Sequence, residues 1–153
     1  SLRDPFADAA KSGYQVIHSL YALGSGGLLG VGLGQGMQNK LYIPEPQNDF
    51  IFATIGEELG LVGCLIVLGL YMALILKGVK IAKKAPDLFG TLLATGIMSM
   101  LAFQVIINIA VATSSMPVTG IPLPFISYGG SSMIILMTEM GILMNISMQG
   151  TRA

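Results

Sequence analysis

An acidic residue at the edge of an apolar stretch is the first candidate for chemistry in this sequence. Asp49 directly precedes the apolar run Phe50–Ala53. A carboxylate at a boundary between water and an apolar phase is partly desolvated, which raises its pKa and makes it a better base. The position equally suits a helix cap, in which Asn48 or Asp49 accepts hydrogen bonds from the first free backbone amides. The residues alone support base and cap equally.

Further polar side chains lie inside apolar stretches. Glu57, Glu58 and Glu139 are candidates for function or for ion pairs, because a carboxylate in such surroundings needs a polar interior or a partner. Ion pairing is the better supported of the two. Adjacent helical residues point about 100° apart, so one of Glu57 and Glu58 is predicted to face the protein interior. Gln104 and Asn108, which share one helix face, are predicted to form hydrogen bonds between helices.

Histidine, cysteine and glycine narrow the classes of site. His18 is the only histidine, so no histidine-based triad or zinc cluster can form within this chain. The only cysteine, Cys64, is predicted to be a small packing residue. The glycine-rich run Gly24–Gly36 fits neither nucleotide-binding glycine pattern. It is predicted to be a re-entrant segment that approaches the membrane surface or a ligand closely, or one that is merely flexible.

The elements that must position these residues are membrane spans. The sequence is 53% hydrophobic and 10% charged, whereas an ordinary soluble domain carries about 25% charged residues. No residue from Leu88 to Thr138 is charged. A soluble protein of this size has too much surface for so long an uncharged stretch. Composition therefore predicts an all-α, polytopic membrane helical bundle.

Three apolar stretches are long enough to cross a bilayer core, which takes about 20 helical residues. Three prolines and a glycine exclude one continuous helix across the loop that precedes the last span. The predicted organisation is a segment 1–50 with an amphipathic or re-entrant part, spans at about 51–76, 88–114 and 133–148, a lysine-rich loop 77–87 and a Pro/Gly loop 115–132.

Charge distribution predicts the orientation of the spans. Four lysines crowd the short loop 77–87, and such loops stay cytoplasmic. Residues 1–50 and the loop 115–132 are therefore expected on the outer face, with the C-terminus in the cytoplasm. The net charge of zero gives no indication of a nucleic-acid partner. Since the sequence starts without Met or a signal peptide pattern, we expect the C-terminal portion of a longer protein.

Two long motifs carry a resemblance to a known family. One is Pro44–Ala53 with Gly56–Gly60, and the other is Pro117–Ser131. With the glycine run Gly24–Gly36 and the opening residues, the chain resembles the SEDS family of shape, elongation, division and sporulation proteins, which includes FtsW, RodA and SpoVE. The resemblance covers nearly the whole chain, and the wording of the first motif looks nearer FtsW or SpoVE than RodA.

The resemblance implies a peptidoglycan glycosyltransferase of the bacterial cytoplasmic membrane. Members of the family polymerise lipid II, an undecaprenyl-pyrophosphate-linked disaccharide-peptide, into glycan strands. They work beside a class B penicillin-binding protein that cross-links those strands. The essential acid of the family matches Asp49. We expect Asp49 to act as the general base in a transfer that inverts the donor anomeric carbon.

Other residues are expected to assist substrate binding. Lys40, or a divalent cation such as Mg²⁺ or Mn²⁺, would hold the pyrophosphate. Glu45 would assist that cation or shape its loop. Ser127 and Tyr128 would line the same cavity, or would only form a turn into the last span. No set of protein ligands for a metal is predicted.

Two other classes of function also fit the sequence. Intramembrane acids and broken helices suit a transporter (flippase) of lipid-linked precursors, for which the essential acids would be Glu57, Glu58 or Glu139. A non-catalytic membrane scaffold for a transpeptidase would leave Asp49 dispensable. The enzyme is the better supported class because Asp49 lies at a partly wet boundary suited to proton transfer. The piece alone is expected to be inactive.

Overall fold

Four helices make up the described part of the chain. The computed structural model describes residues 12–33, 51–117, 119–126 and 129–152. Within those ranges the regular elements are all helical, which confirms the predicted all-α class. Three of the helices are long and apolar enough to cross a membrane. The helices are α1 (Ser12–Gly26), α2 (Ile51–Lys84), α3 (Leu88–Ala112) and α4 (Gly130–Arg152).

The connection between α2 and α3 is shorter than the predicted loop 77–87. Helix α2 continues through Lys84, so the lysines lie on its last turns rather than in a loop. It ends just before Ala85, because the proline at position 86 disfavours helical geometry at the residue before it. Asp87 then caps α3, with its Oδ1 accepting from the backbone amide of Gly90 at 3.2 Å.

Helix α2 is the centre of the bundle. It packs against α1, α3 and α4, and α3 also contacts α4. The outward faces of the spans carry large exposed apolar side chains, such as Leu70 (66% exposed), Phe103 (64%) and Ile134 (70%). Such faces suit lipid or further membrane helices better than water. The buried core between the helices includes Phe52, Cys64, Tyr71, Leu101 and Leu123.

Helix α2 is interrupted at Gly60. The backbone there has φ 68° and ψ −163°, a conformation that is open essentially only to glycine. In an unbroken helix the amides of Leu61 and Val62 would donate to the carbonyls of Glu57 and Glu58. The break removes both bonds inside an apolar span, where an unsatisfied backbone group costs several kcal/mol. Other partners are therefore required.

The glycine turn, defined here as residues 27–32 directly after α1, supplies those partners. Two of its amides donate to the freed carbonyls, and two of its carbonyls accept from the freed amides. The turn thus replaces the hydrogen bonds that the break removes. We refer to these four bonds between the turn and α2 as the splice. The four bonds are Val31 N to Glu57 O (2.9 Å), Gly32 N to Glu58 O (3.1 Å), Leu61 N to Gly27 O (2.9 Å) and Val62 N to Leu28 O (3.3 Å).

Glycine is required on both sides of this splice. A Cβ on Gly30 would lie 2.2 Å from the carbonyl oxygen of Glu58, and a Cβ on Gly60 would lie 2.4 Å from the amide nitrogen of Gly30. Gly30 also has φ +76°, a backbone conformation that residues with a side chain rarely adopt. From the sequence we predicted close approach to the membrane surface or a ligand, or simple flexibility. That prediction is not tested for the membrane surface or a ligand; what the described part of the run shows is a close approach to the backbone of α2.

Replacing Gly30 by alanine is expected to open the splice. The left-handed conformation alone costs an alanine about 1–2 kcal/mol, and the contact with the Glu58 carbonyl adds to that. We expect Gly30→Ala to lower the unfolding temperature of the detergent-solubilised protein. We also expect faster hydrogen exchange at the amides of Leu61 and Val62, which lose their acceptors.

Gly24→Ala is the matched control for this prediction. Gly24 lies in α1 with nothing within 4 Å of a Cβ and no positive φ. Alanine there should be neutral or stabilising by about 0.5–1 kcal/mol. If Gly30→Ala unfolds at the wild-type temperature and keeps the Leu61 and Val62 amides protected, the splice does not hold the break together.

Candidate functional site

The site residues predicted from the sequence lie outside the described part of the chain. These are Asp49, Lys40 and Glu45, in the segment 34–50, and Ser127 with Tyr128 before α4. Their roles therefore stay predictions. The described residues next to them, however, show how the two segments are attached to the helices.

The segment 34–50 begins and ends against α2. On one side Gly32 donates to the carbonyl of Glu58 through the splice. On the other side α2 starts at Ile51, two residues after Asp49. The seven-residue step from Ile51 to Glu58 corresponds to about 10 Å along the helix axis. Both ends of the segment that carries Asp49 are thus fixed on one short stretch of helix.

The two acids beside the splice differ in environment. Glu57 is 2% exposed and faces the protein interior, whereas Glu58 is half-buried. This matches the predicted division between an inward and an outward acid. Their backbone carbonyls, not only their side chains, take part in the local structure, because both accept bonds from the glycine turn.

The segment 119–126 enters the bundle instead of lying at its surface. Leu123 is 1% exposed, and the hydroxyl of Tyr71 donates to the carbonyl of Pro124. Tyr71 lies in the middle of α2, so the segment reaches well below the helix ends. Asn108 secures it further, with Nδ2 donating to the carbonyl of Ile121 at 3.0 Å. The predicted outer loop 115–132 is therefore re-entrant in its described part.

Neither of these two anchors was predicted from the sequence. Asn108 was expected to bond between helices, but this bond goes to a connecting segment. Tyr71 received no role, although a phenol inside an apolar span needs a hydrogen-bond partner. The three prolines in the loop are the sequence feature that indicates burial of this segment. A proline-rich segment leaves few backbone amides to satisfy, which suits it to an apolar interior.

A cleft of about 100 Å³ opens between the re-entrant segment, α3 and α4. Gln104, Ser132 and Glu139 provide its polar groups, and Pro122–Phe125 provide much of its apolar wall. Irregular backbone at membrane depth is tolerated where it is buried in protein or lines a cavity, and both conditions hold here. Ser127 and Tyr128 fall in the chain between two walls of this cleft, Phe125 and Ser132.

The described side chains can offer hydrogen bonds and negative charge to a ligand. In the described ranges no three histidine, cysteine or acidic side chains come together as a metal site. A cation bound by the protein would thus depend on residues outside those ranges.

Comparison with known proteins supplies the family. A family model for FtsW, RodA and SpoVE, described as "Cell cycle protein", matches residues 1–152. The chain is 53% identical to the Bacillus subtilis stage V sporulation protein E over 96% of its length, and 53% identical to a probable peptidoglycan glycosyltransferase FtsW of that organism over 97%. It is 49% identical to the Escherichia coli peptidoglycan glycosyltransferase MrdB over 95%. It spans only 40%, 37% and 40% of those relatives.

Solved structures share the fold. One, described as "Structural coordination of polymerization and crosslinking by a peptidoglycan synthase complex", matches 99% of this chain and 41% of its own, with TM-score 0.77 and 30% identity. A crystal structure of a mutant of the Thermus thermophilus rod shape determining protein RodA matches 84% of this chain and 39% of its own, with TM-score 0.65 and 36% identity. The chain therefore belongs to the SEDS family of FtsW, RodA and SpoVE, and its sequence is more similar to the Bacillus subtilis SpoVE and FtsW than to MrdB.

Proposed function

We propose that this chain is part of a membrane peptidoglycan glycosyltransferase that polymerises lipid II into glycan strands for septal or spore cell-wall synthesis. One observation carries the proposal. About half of the residues are identical, over nearly the whole chain, to proteins named peptidoglycan glycosyltransferases. The re-entrant segment and the cleft beside it agree with a ligand that is bound between membrane helices.

The proposed reaction needs one base. The 4-hydroxyl of the acceptor GlcNAc attacks the anomeric carbon of the donor sugar, forming the new glycosidic bond with inversion. The bond between that carbon and the pyrophosphate oxygen breaks, and undecaprenyl pyrophosphate leaves with the electron pair. The hydroxyl proton passes to the carboxylate of Asp49. Since pyrophosphate is already a good leaving group, a second carboxylate as general acid, usual in glycoside hydrolysis, is not needed.

The attachment of the segment 34–50 supports this role for Asp49. A base must be held within hydrogen-bond reach of the proton that it removes. The splice fixes the chain at Gly32, and α2 fixes it at Ile51. Anchored flanking residues of this kind would lower the entropy lost when the reacting groups are aligned.

The remaining predicted residues would bind the substrate. Lys40 would neutralise the pyrophosphate charge that develops as the donor bond breaks. Ser127 and Tyr128 would face the same cavity from the entrance to α4. Glu45 would shape the loop or help to hold a divalent cation.

The partner and the orientation follow from the same reasoning. The similar solved structure belongs to a complex that coordinates polymerisation with cross-linking. We infer a class B penicillin-binding protein as the partner of this chain. The lysines at the end of α2 would lie in the cytoplasm. The segment 34–50 and the opening of the cleft would then face the outer side, where lipid II is presented.

A transporter is the second candidate, and the break in α2 favours it. Discontinuous membrane helices are typical of secondary transporters. Gly60 interrupts α2, and the buried Glu57 lies three residues before it. Translocation of lipid II across the bilayer, without polymer, would follow from that mechanism. The two candidates place the essential acid at different positions, so substitutions distinguish them.

Asp49→Asn is expected to abolish polymerisation. Removing a general base lowers the rate by about 10²–10⁴-fold, while asparagine caps a helix about as well as aspartate. Glycan strands made from lipid II by the full natural protein with its transpeptidase partner provide the measurement. Folding and binding of the partner should match the wild type.

Asp87→Asn is the matched control for Asp49→Asn. Asp87 also precedes a span, and its carboxylate caps α3 through Gly90. Because asparagine is an equally good cap, we expect normal polymerisation from this variant. If Asp49→Asn polymerises as well as Asp87→Asn, then Asp49 is only a cap and the base lies elsewhere.

Glu57→Gln separates the enzyme from the transporter. Glutamine keeps the size of the side chain and the backbone carbonyl that accepts from Val31. For the enzyme we expect polymerisation within about threefold of wild type, far from the loss of 10²–10⁴-fold that removing a base causes. A variant that folds, makes no polymer and no longer moves lipid II between leaflets would instead support transport.

A further inference from the structure

The lysine end of the bundle contains a second cleft, remote from the cleft beside Glu139. It lies between the last turns of α2 and α4 and has a volume of about 290 Å³. A water molecule occupies about 30 Å³ in the liquid, so the cleft can hold a group of many atoms. We refer to it as the lysine cleft. Its lining residues are Lys77, Lys80, Ile81, Lys84, Ile146, Ser147, Gly150 and Thr151.

The lining residues fall into three chemical groups. Three lysines on one face of α2, at positions 77, 80 and 84, supply positive charge. Hydroxyl groups come from Ser147 and Thr151 on the facing side of α4, while the apolar part is provided by Ile81 and Ile146. None of the described residues that line the cleft is a carboxylate. The cleft therefore offers cations and hydrogen-bond donors next to an apolar wall.

Close packing of the two helices shapes the lysine cleft. A Cβ on Gly150 would lie 2.4 Å from the carbonyl oxygen of Lys84, so the backbones of α2 and α4 nearly touch there. Below that contact Ile146 is 7% exposed and belongs to the core. The cleft thus lies between two helix ends whose backbones are in close contact at Gly150.

Stabilisation of the helix end does not account for all of this charge. A cation near a helix C-terminus interacts favourably with the helix dipole, but the effect is confined to the last turn. Lys83 and Lys84 lie in the last turn of α2. Lys77 and Lys80 lie before it and still face the cleft. Their position allows Lys77 and Lys80 to interact with a ligand in the cleft.

We propose that the lysine cleft binds the phosphate headgroup of an anionic phospholipid. Lysines at the end of a span extend their charge to the headgroup level of the bilayer, and basic pockets between membrane helices suit such headgroups. The hydroxyl of Ser147 would donate a hydrogen bond to the phosphate, whereas the hydroxyl of Thr151 donates to the backbone carbonyl of Ser147 at 2.9 Å. Ile81 and Ile146 would contact the glycerol and the first carbons of the acyl chains, which a free phosphate does not have.

The test measures lipid binding by the full natural protein in detergent micelles. Dioleoyl phosphatidylglycerol and dioleoyl phosphatidylcholine, which share acyl chains and differ in net charge, are titrated separately and bound lipid is counted by native mass spectrometry. We expect tighter binding of phosphatidylglycerol. Millimolar inorganic phosphate should not displace it. Equal binding of both lipids, or displacement by inorganic phosphate, would overturn the proposal.

Lys80→Gln and Lys83→Gln form the matched pair of variants. Both lysines are exposed near the end of α2, but Lys83 lines a separate apolar groove with Val79 and Thr95. We expect Lys80→Gln to weaken phosphatidylglycerol binding by about fivefold, because this is the effect of one cation near an anionic lipid. Lys83→Gln should weaken it by less than about twofold. Equal losses in both variants would mean diffuse attraction to the end of the helix, and no built site.

Ser147→Leu tests the shape of the cleft without changing its charge. Leucine would fill the space beside the lysines and remove one hydroxyl. Phosphatidylglycerol binding should fall by about fivefold or more if the phosphate sits between the helices. Unchanged binding, in a variant that unfolds at the wild-type temperature, would show that the lipid does not enter the cleft.

Discussion

The described structure depends on the satisfaction of four backbone groups within an apolar helix. A membrane interior offers no water to replace a lost hydrogen bond, so a break in a span persists only where protein atoms take over. The glycine turn does this for α2 with four bonds between main-chain atoms. Main-chain partners have fixed positions, and Gly30 and Gly60 allow them to approach. The splice therefore joins the end of α1 to α2 through main-chain hydrogen bonds.

Helix α2 consequently supports described residues next to both parts of the predicted site. The segment 34–50 leaves the glycine turn and returns at Ile51, so both of its ends rest on α2. The re-entrant segment 119–126 is held on the same helix by the bond from Tyr71 to Pro124, with Asn108 as a second anchor from α3. A single helix thus holds the described residues that flank the segment 34–50 and, in addition, the re-entrant segment 119–126. Precise placement of this kind is what catalysis by positioning and charge requires.

Prediction from the sequence succeeded where one strong physical effect decides the structure. Long uncharged apolar stretches have few alternatives to spanning a membrane, and all three predicted spans are helices of sufficient length. Prediction failed where the local structure depends on a contact between two segments that are distant in the sequence. Gly60 lies within an apolar run that is typical of one continuous helix. A break there is stable only because the glycine turn replaces the hydrogen bonds that the helix loses. Likewise, nothing local indicates that Pro124 meets Tyr71. The sequence does not show that α2 extends through Lys84, because lysines commonly mark the end of a membrane span whereas the helix itself can continue into water.

The fate of lipid II tests the proposed activity most directly. The full natural protein would be reconstituted with its transpeptidase partner in vesicles that carry labelled lipid II. Glycan strands and the distribution of lipid II between leaflets would be measured in the same sample. A polymerase should make strands, with one undecaprenyl pyrophosphate released for each sugar bond formed. Movement of lipid II between leaflets with no strand and no released pyrophosphate would contradict the proposed activity.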